Sequence, residues 1–580
     1  MTNNKMISIA KKRGYLYPSF EIYSGVAGFY DYGPLGSMLK NNILNLWRQY
    51  YTVQEGYYEI ESPTVMPKEA LKASGHVDNF TDPMTQCHDC QQVYRADHII
   101  GEAINKEVEG LPDSKLTEII AENNITCTEC GGKLEDVYSY NLMFKTKIGA
   151  NGKKIGYMRP ETAQGIFIAF KRLARFYKDK LPFGVVQIGK AYRNELSPRQ
   201  GMIRLREFTL AETEIFVDPT DKTTPKFDSI KNEKIKLFSQ QLQEENKEAE
   251  YFTVKEALEQ NIVPSEILAY QIYLAKTFLT EIGLPENKFR FRQNLPDERA
   301  HYALDCWDGE VETDEYGWIE ILGIADRTDY DLSSHIKDSK EDLTIFKEYD
   351  TVKTVTKTVP IINNKNFGRT LKKDSTEAKE IIENTNPETI INSIKENGSY
   401  IITIGNNNYD IDETLITFET KKIEEKGEKV VPHVIEPSFG VDRIVYSLLL
   451  HSYTEDENED KETRKYLRIT PQIAPVKAVI LPLVNKEELT TIAKDIEFET
   501  RKNNLITMYD VSGTIGRRYA RSDEIGVPYA ITIDYDSLED KKVTIRSRDT
   551  LKQKRIFITE ISKVLTDLLN NNIKFEEITE

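Results

Sequence analysis

VVQIGKAYRNELSPRQGMIRLREFTLAETEIFV, residues 185–217, reads as two strands joined by a polar loop that contains Pro198 and Gly201. Side chains alternate faces along a strand, so Arg193 and Glu195 share one side of the first strand. By the same count Arg206, Phe208 and Glu212 share one side of the second. Guanidinium groups, carboxylates and an aromatic ring then crowd one sheet surface at a density that ordinary core strands avoid. A nucleotide needs such a surface: a fork for phosphate oxygens, a flat ring for the base and acceptors for amino groups. A solvated hairpin with surface ion pairs would instead leave Phe208 stranded among charges.

Three further stretches carry charge where an ordinary core would not. HVIEPSFGVDRIVYSLLLHS, residues 433–452, is a strand ending in Glu436-Pro437-Ser438 that passes through Gly440 into a helix. That helix has Ile444, Val445, Leu448 and Leu449 on its apolar face. Arg443 falls in the first turn, where the helix dipole disfavours a cation by roughly 0.3–1 kcal/mol. An anionic ligand explains it, and an exposed arginine beside Asp442 is the bland alternative. In GWIEILGIADRTDYDLSSH, residues 317–335, Glu320 and Arg327 are charges set in an apolar strand context and need partners. In YMRPETAQGIFIAF, residues 157–170, Glu161 stands just before an apolar helix, either as an N-terminal helix carboxylate or as a ligand for a cation. Cys306 alone reads as a small core hydrophobe.

Cys87-His-Asp-Cys90 and Cys127-Thr-Glu-Cys130-Gly131-Gly132 are two CxxC pairs separated by 36 residues. Two such thiol pairs on tight turns converge on one tetrahedral zinc, and the glycines are expected to supply the positive φ that such knuckles need. The spacer has room for a small helix near Leu116–Glu122. Four thiolates would close the coordination shell, so Cys87, Cys90, Cys127 and Cys130 point to one structural Zn2+, with His88 and His98 as outside candidates. Four reduced, unligated thiols are the alternative. Gly184-VVQI-Gly189-Lys190 imitates a phosphate-binding loop but has Ala191 in place of the hydroxyl that holds magnesium, and strand residues inside it; it is a coincidence.

The chain has 580 residues, 39% hydrophobic and 29% charged, which suits a globular protein of three or four domains. No apolar run approaches the roughly 20 residues of a membrane span, and no secretory signal is evident. A cytoplasmic protein with reduced thiols is expected. The net charge of −17 argues against a general nucleic-acid coat. It leaves room for a local basic surface near Arg517, Arg518, Arg521, Lys541, Lys542, Arg546, Arg548, Lys552, Lys554 and Arg555. A helix is expected near 37–51, an inserted helical segment over 221–283 with a capping box at Thr253 and Glu256, and a mobile acidic linker at 455–462. An α/β unit should follow from about 471, with helices near 486–503 and 553–570.

These motifs together resemble the dimeric glycyl-tRNA synthetases, a family of class II aminoacyl-tRNA synthetases. The resemblance covers nearly the whole chain. It rests on PSFEIYSGVAGFYDYGPLG (18–36), SGHVDNF (74–80), RPETAQG (159–165), YRNELSPRQGMIRLREFT (192–209), GWIEILGIADRTDYDL (317–332), EPSFGVDR (436–443) and GRRYARSDEIGVPY (516–529). It implies an α+β multidomain fold: a class II antiparallel sheet with flanking helices, a zinc-binding insertion and a C-terminal α/β anticodon-binding domain. The implied segments are catalytic core 1–86 (motif 1 region), zinc-binding insertion 87–136, core with motif 2 at 137–220, helical insertion 221–290 and core 291–339. An α+β insertion at 340–430, core with motif 3 at 431–454, acidic linker 455–470 and anticodon-binding domain 471–580 complete the chain.

The implied reaction is ATP-dependent attachment of glycine to tRNA(Gly) through a glycyl-adenylate, releasing AMP and pyrophosphate. The resemblance gives Arg193 and Arg443 the catalytic roles. ATP would be bound by Arg193, Asn194, Glu195, Arg204, Leu205, Phe208, Glu320, Ile321 and Arg443, with Phe208 and Arg443 on opposite faces of adenine and Glu320 on Mg2+. Glu161, Glu212, Glu436, Pro437, Ser438 and Arg327 would form the glycine pocket. The expected partners are tRNA(Gly), ATP, glycine and a second copy in a homodimer, with no membrane and no DNA. A catalytically silent relative should have lost the motif 2 or motif 3 arginines, and both are present. A relative specific for Ser, Thr or Pro is the closer rival, and the acidic pocket favours Gly.

Overall fold

The two strands of residues 185–217 lie in a nine-stranded sheet. Its strands are β1 Tyr58–Glu59, β2 Phe183–Tyr192, β3 Glu207–Val217, β4 Lys234–Phe238, β5 Glu250–Thr253, β6 Phe289–Gln293, β7 Asp305–Thr313, β8 Gly317–Thr328 and β9 His433–Gly440. They are ordered β5-β4-β6-β7-β8-β9-β3-β2-β1. Neighbours run antiparallel except β4 with β6 and β2 with β1. The structure, a computed structural model, describes residues 2–579 apart from 107, 109, 197–200, 297, 300–302, 406 and 458–462. Pro198, expected in the loop between β2 and β3, lies outside the described residues.

β2 and β3 pair from Phe183↔Phe216 to Tyr192↔Glu207, so the run resembling a phosphate loop is strand throughout. Its glycines serve packing: a Cβ on Gly189 would lie 2.0 Å from Nη2 of Arg159, and one on Gly184 would strike the Tyr57 ring. Five helices position the sheet: α1 Pro34–Arg48, α2 Ala163–Phe176, α3 Glu266–Glu281, α4 Tyr330–Ser339 and α5 Val441–Ser452. α1 starts three residues before the expected Ser37, because proline's fixed φ suits the first helical position. It runs on as a π turn over Gln49–Gln54. Leu39, Ile43, Leu46, Trp47 and Tyr50 of this segment share one core with Ile444, Val445, Leu448 and Leu449 of α5. A further helix, Thr2–Lys12, precedes them.

Residues 221–290 are not a helical insertion. They contribute β4, β5 and the start of β6 to the main sheet, and α3 packs into the main core. The alternation in KIKLF, with Ile235 and Leu237 turned inward, carried the strand signal. The expected caps stand: Thr253 and Glu256 form the capping box, and Ser265 accepts from Leu268 N. The acidic segment is not a loop in its described part either, because Tyr453–Glu457 pairs with Thr463–Leu467 as a hairpin.

The two CxxC pairs sit on a small module whose sheet, Val93–Arg95, Thr81–Gln86 and Tyr138–Asn141, reaches beyond 87–136 on both sides. The spacer holds the helix Asp113–Glu122. A separate unit, Thr344–Val430, is built on a two-stranded ribbon, Ile345–Ile362 with Ile416–Val430. Its helices Asn364–Leu371, Ser375–Asn384 and Pro387–Asn397 and a short hairpin enclose a core that includes Phe367, Ile382, Ile390 and Ile402. The second and third of these helices are separated just before Pro387, which restricts the residue preceding it.

The C-terminal sheet has β10 Ala478–Pro482, β11 Thr507–Tyr509, β12 Tyr529–Ile533, β13 Lys542–Ser547 and β14 Gln553–Phe557 in the order β11-β10-β12-β13-β14. Helices Glu487–Lys502, Ile515–Glu524 and Ile561–Leu569 accompany it. The last helix therefore begins eight residues after the expected 553, where β14 starts. Several arginines expected on a basic surface are structural. Arg518 donates to the carbonyls of Pro482 and Leu483, Arg546 pairs with Asp523, and Arg548 is buried against the carbonyls of Leu467, Gly526 and Ile469. Arg517, Lys541 and Lys552 remain exposed.

Candidate active site

Two adjoining cavities open on the face of the sheet formed by β3, β7, β8 and β9. The first, of about 150 Å³, is lined by Arg193, Glu195, Arg204, Leu205, Phe208, Glu320, Ile321 and Arg443 among others. Eight of the nine residues expected around the nucleotide thus meet there. Asn194 does not: its N–H donates to Leu142 O at 2.7 Å and its Nδ2 to Tyr140 Oη at 2.5 Å, which ties β2 to the Cys module. The Arg193 guanidinium lies 5.3 Å from the Phe208 ring and 5.4 Å from the Phe80 ring. Arg443 donates from Nε to Ile203 O at 2.8 Å and from Nη1 to Glu320 O at 2.7 Å, with Glu320 Oε2 at 3.2 Å. Two guanidinium groups so placed on one cavity make an anion site, which explains a cation in the first turn of α5. Arg206, by contrast, bonds the carbonyls of Glu195 and Ala27.

The second cavity shares Glu320, Gly323 and Ser438 with the first and adds Cys306, Asp308 and Glu436. Cys306 is therefore half-buried at a cavity wall rather than in the core. Behind this cavity lies a dense acidic network. Glu212 accepts from the N–H groups of Thr162 and Ala163 at 2.6 and 3.1 Å and from the Thr162 hydroxyl. Its other oxygen accepts from Ser438 Oγ at 2.7 Å. The start of α2 is thus satisfied from across the sheet, and Glu212 rather than Glu161 is the carboxylate at that helix end. Arg327 forks onto Glu436 at 2.9 and 3.0 Å, donates to Asp331 at 2.8 Å and stands 3.8 Å from Glu161. Gln164 links Glu161 to Asp331, donating at 3.0 and 2.8 Å, and His335 Nε2 lies 3.0 Å from its Oε1. Pro437 is a strand residue opposite Ile324, and its contribution is to the path of β9.

Burial alone would raise the Glu161 carboxyl, but His76 and Arg327 outweigh it and hold it well below the usual range. Burial lifts Glu436 to about 8 despite its fork to Arg327, with repulsion from Glu212 and Glu161 adding to the rise. Burial and then Glu436 drive Glu214 well above the carboxylate range. Glu214 lies on the same face of β3 as Glu212 and is fully buried, and neither of its oxygens has a hydrogen-bond partner among the described residues. Burial without a partner thus favours its protonated form. The sequence reading missed it although the Glu-Thr-Glu alternation carried the signal.

Gly323 was missed as well. It faces Ser438 on β9 and Asp308 on β7, and a Cβ built on it meets nothing within 4 Å. The missing side chain is space that belongs to both cavities. Gly323→Val is expected to keep the thermal midpoint within about 4 °C, a change of no more than about 1 kcal/mol. It should abolish ligand entry, read by nucleotide titration.

The thiols of Cys87, Cys90, Cys127 and Cys130 lie within 4.8 Å of one another, with 3.5 Å separating Cys87 from Cys130 and Cys90 from Cys127. A zinc tetrahedron with bonds of about 2.3 Å has edges of about 3.8 Å, so the donor set fits. The tight turns come from Gly131 at φ +73° and Gln91 at φ +60°. Gly132 serves close packing instead, since a Cβ there would lie 3.0 Å from Cys87 Sγ. His88 pairs with Asp89 in solvent, and neither it nor His98 belongs to the cluster.

A profile described as "tRNA synthetase class II core domain (G, H, P, S and T)" matches residues 144–453, and one described as "Anticodon binding domain" matches 477–568. The chain is 54% identical to a glycine–tRNA ligase of Methanothermobacter thermautotrophicus over 98% of its own length and 99% of that protein's. It is 51% identical to one of Methanocaldococcus jannaschii over 97% and 98%. Among solved structures, Giardia lamblia prolyl-tRNA synthetase in complex with prolyl-adenylate shares the fold at TM-score 0.53 and 15% identity, over 98% of this chain and 79% of that one.

Proposed function

From the premise that the chain belongs to the glycine–tRNA ligase family of class II synthetases, we propose how its residues divide the work. The chain is an enzyme that uses ATP to attach glycine to tRNA, by the adenylate route general to the class. In the first half-reaction a glycine carboxylate oxygen attacks the α-phosphorus of ATP in line and pyrophosphate leaves. In the second, the 3′-terminal hydroxyl of tRNA(Gly) attacks the adenylate carbonyl and AMP leaves. No protein nucleophile is needed; positioning and neutralisation of charge carry both steps.

Arg193 grips the α-phosphate and the charge that develops on it. Phe208 stacks on adenine, with Arg443 on the other side and within reach of the γ-phosphate. Glu195, Arg204, Leu205 and Ile321 seat the nucleotide. Class II enzymes take ATP with Mg2+. Glu320 would hold the ion: its side chain is half exposed at the cavity rim, where a cation carried in by a triphosphate could reach it. When bound, the ion supplies further neutralisation of phosphate charge.

The glycine ammonium is taken by Glu161, Glu212 and Glu436, with Arg327 keeping the last in place and Ser438 standing where a larger substrate needs room for a Cβ. The observation that carries this reading is the meeting of an anion cavity with an acidic pocket across Gly323 and Ser438. A pocket sized for glycine excludes larger residues sterically, which is easier than rejecting a smaller one at about 1–3 kcal/mol per methylene. ATP–pyrophosphate exchange against glycine, alanine, serine, threonine and proline tests it. Glycine alone should support exchange, and equal exchange with alanine or serine would sink the pocket.

The Cys cluster is read as a structural Zn2+ site. Chelation, or Cys127→Ser, should release one zinc per chain and open residues 81–141 to proteolysis while the C-terminal domain stays resistant. The homodimer is supported by an apolar groove of about 590 Å³ beside α2 that includes Val65 and Ile168, with Tyr58 and Phe176 exposed nearby. Among the described residues no helix is long and apolar enough to cross a membrane. Translation enzymes work in the cytoplasm, and that compartment is proposed for this chain.

A further inference from the structure

Between the helix Lys68–Ala73 and the strand Thr81–Gln86 lies a short segment, Ser74–Phe80, built around a single helical turn at His76–Asn79. Gly75 sits there at φ +84°, and a Cβ on it would lie 3.2 Å from Nδ2 of Asn79. The residues that follow it reach both halves of the site. His76 Nε2 lies 3.4 Å from Oε2 of Glu161, and its Nδ1 lies 2.8 Å from Oγ of Ser74. Phe80, at the other end, lies as close to the Arg193 guanidinium as Phe208 does. The turn is anchored from behind by the Cys module: Asn141 Nδ2 donates to the carbonyls of His76 and Val77 at 3.1 and 3.0 Å. Leu142 N donates to Phe80 O at 3.0 Å, and Leu142 O accepts from Asn194 N.

We propose that Ser74–Phe80 is a double positioning element, in which His76 orients Glu161 toward the amino acid and Phe80 orients Arg193 toward the nucleotide. The inference rests on the assignment of Glu161 to glycine and Arg193 to ATP. Histidine suits the first task because its two ring nitrogens can engage two partners at once, so a contact to Ser74 fixes the ring that faces the carboxylate. An aromatic ring suits the second because its face attracts a guanidinium without spending a donor that the phosphate needs. The low titration of Glu161, to which His76 contributes, agrees with this contact.

The test is steady-state ATP–pyrophosphate exchange with the full-length enzyme. His76→Ala should raise the glycine KM about tenfold and leave the ATP KM within about twofold, with His76→Gln recovering most of the loss. Phe80→Ala should do the reverse, raising the ATP KM or lowering kcat about tenfold with the glycine KM unmoved, and Phe80→Leu should behave like it. A turn that only supports the fold would move both constants together in every variant, and that outcome overturns the proposal, as does no change in either. Should an alanine variant fail to fold, the crossed pattern is read from His76→Leu, which keeps bulk but has no nitrogen for Glu161, and from Phe80→Leu. Glu161→Gln and Arg193→Lys separate the failures. If they too leave both constants unchanged, the assignment of the site is wrong. If they behave as assigned while the turn variants do not, only the turn's role falls.

Discussion

Arg193→Ala is expected to lower glycine-dependent ATP–pyrophosphate exchange by about 10²–10³-fold, the loss seen when a preorganised donor to developing charge is removed. The guanidinium is held for this task by its surroundings. Phe80 and Phe208 lie within 5.4 Å of it, and its contact to Pro160 O is a weak 3.4 Å. Among the described residues its donors therefore have no strong internal partner, and they can turn to phosphate. Because the interaction strengthens as charge builds on the α-phosphate, kcat should fall more than the ATP KM rises. Arg193→Lys should recover little, since a point charge lacks the planar fork. Full exchange activity in the alanine variant would remove Arg193 from the reaction.

Glu212→Gln is expected to raise the glycine KM by about 30-fold to more than 10³-fold, the equivalent of the 2–5 kcal/mol that follows loss of one partner in a buried charged hydrogen-bonded set. The ATP KM should stay within about threefold, because the nucleotide cavity does not include this residue. The carboxylate accepts from two backbone N–H groups, a threonine hydroxyl and Ser438. An amide can keep only one acceptor oxygen in that geometry, and its NH₂ would confront a donor. A glycine KM that does not move would show Glu212 to be a helix cap alone.

The same pocket sets a pH dependence. Glu436 attracts an ammonium only when ionised, and its carboxyl is pushed up to about 8. The glycine KM should therefore fall as pH rises toward 8 and level off above it. Stability runs the other way. A carboxyl raised in the fold keeps a proton that the unfolded chain releases near its ordinary 4.5, so this contribution is full below that value and is lost as pH rises through about 8. Glu436→Gln should flatten the KM profile.

Much of this was legible before any coordinates. The stretches around β2, β3 and the β9–α5 passage carry strong local patterns, and Arg193, Phe208, Ser438 and Arg443 on them fall at the cavities, whereas Glu212 lies behind. The segment 221–290 misled because its strands are only four or five residues long and lie beside long helices, so the helical period dominated. Arg518, Arg546 and Arg548 looked like an RNA-facing surface because charge in a sequence reveals nothing about burial. Asn194 sits inside the most diagnostic motif and yet turns away to Tyr140.

The amino-acid sequence by itself determined the family resemblance, the paired strands of 185–217 and the arginines, carboxylates and thiols on which the chemistry draws, because residue type and strand alternation are local properties. The tertiary structure alone decided which carboxyl is pushed toward its protonated form and which is held low, that Glu212 completes α2 and that Gly323 is a window between two cavities. It also decided that His76 stands beside Glu161 and Phe80 beside Arg193. Those outcomes depend on distances between residues far apart in the chain: a carboxyl's charge is set by what burial brings beside it, and an empty volume is defined only once every neighbour is in place.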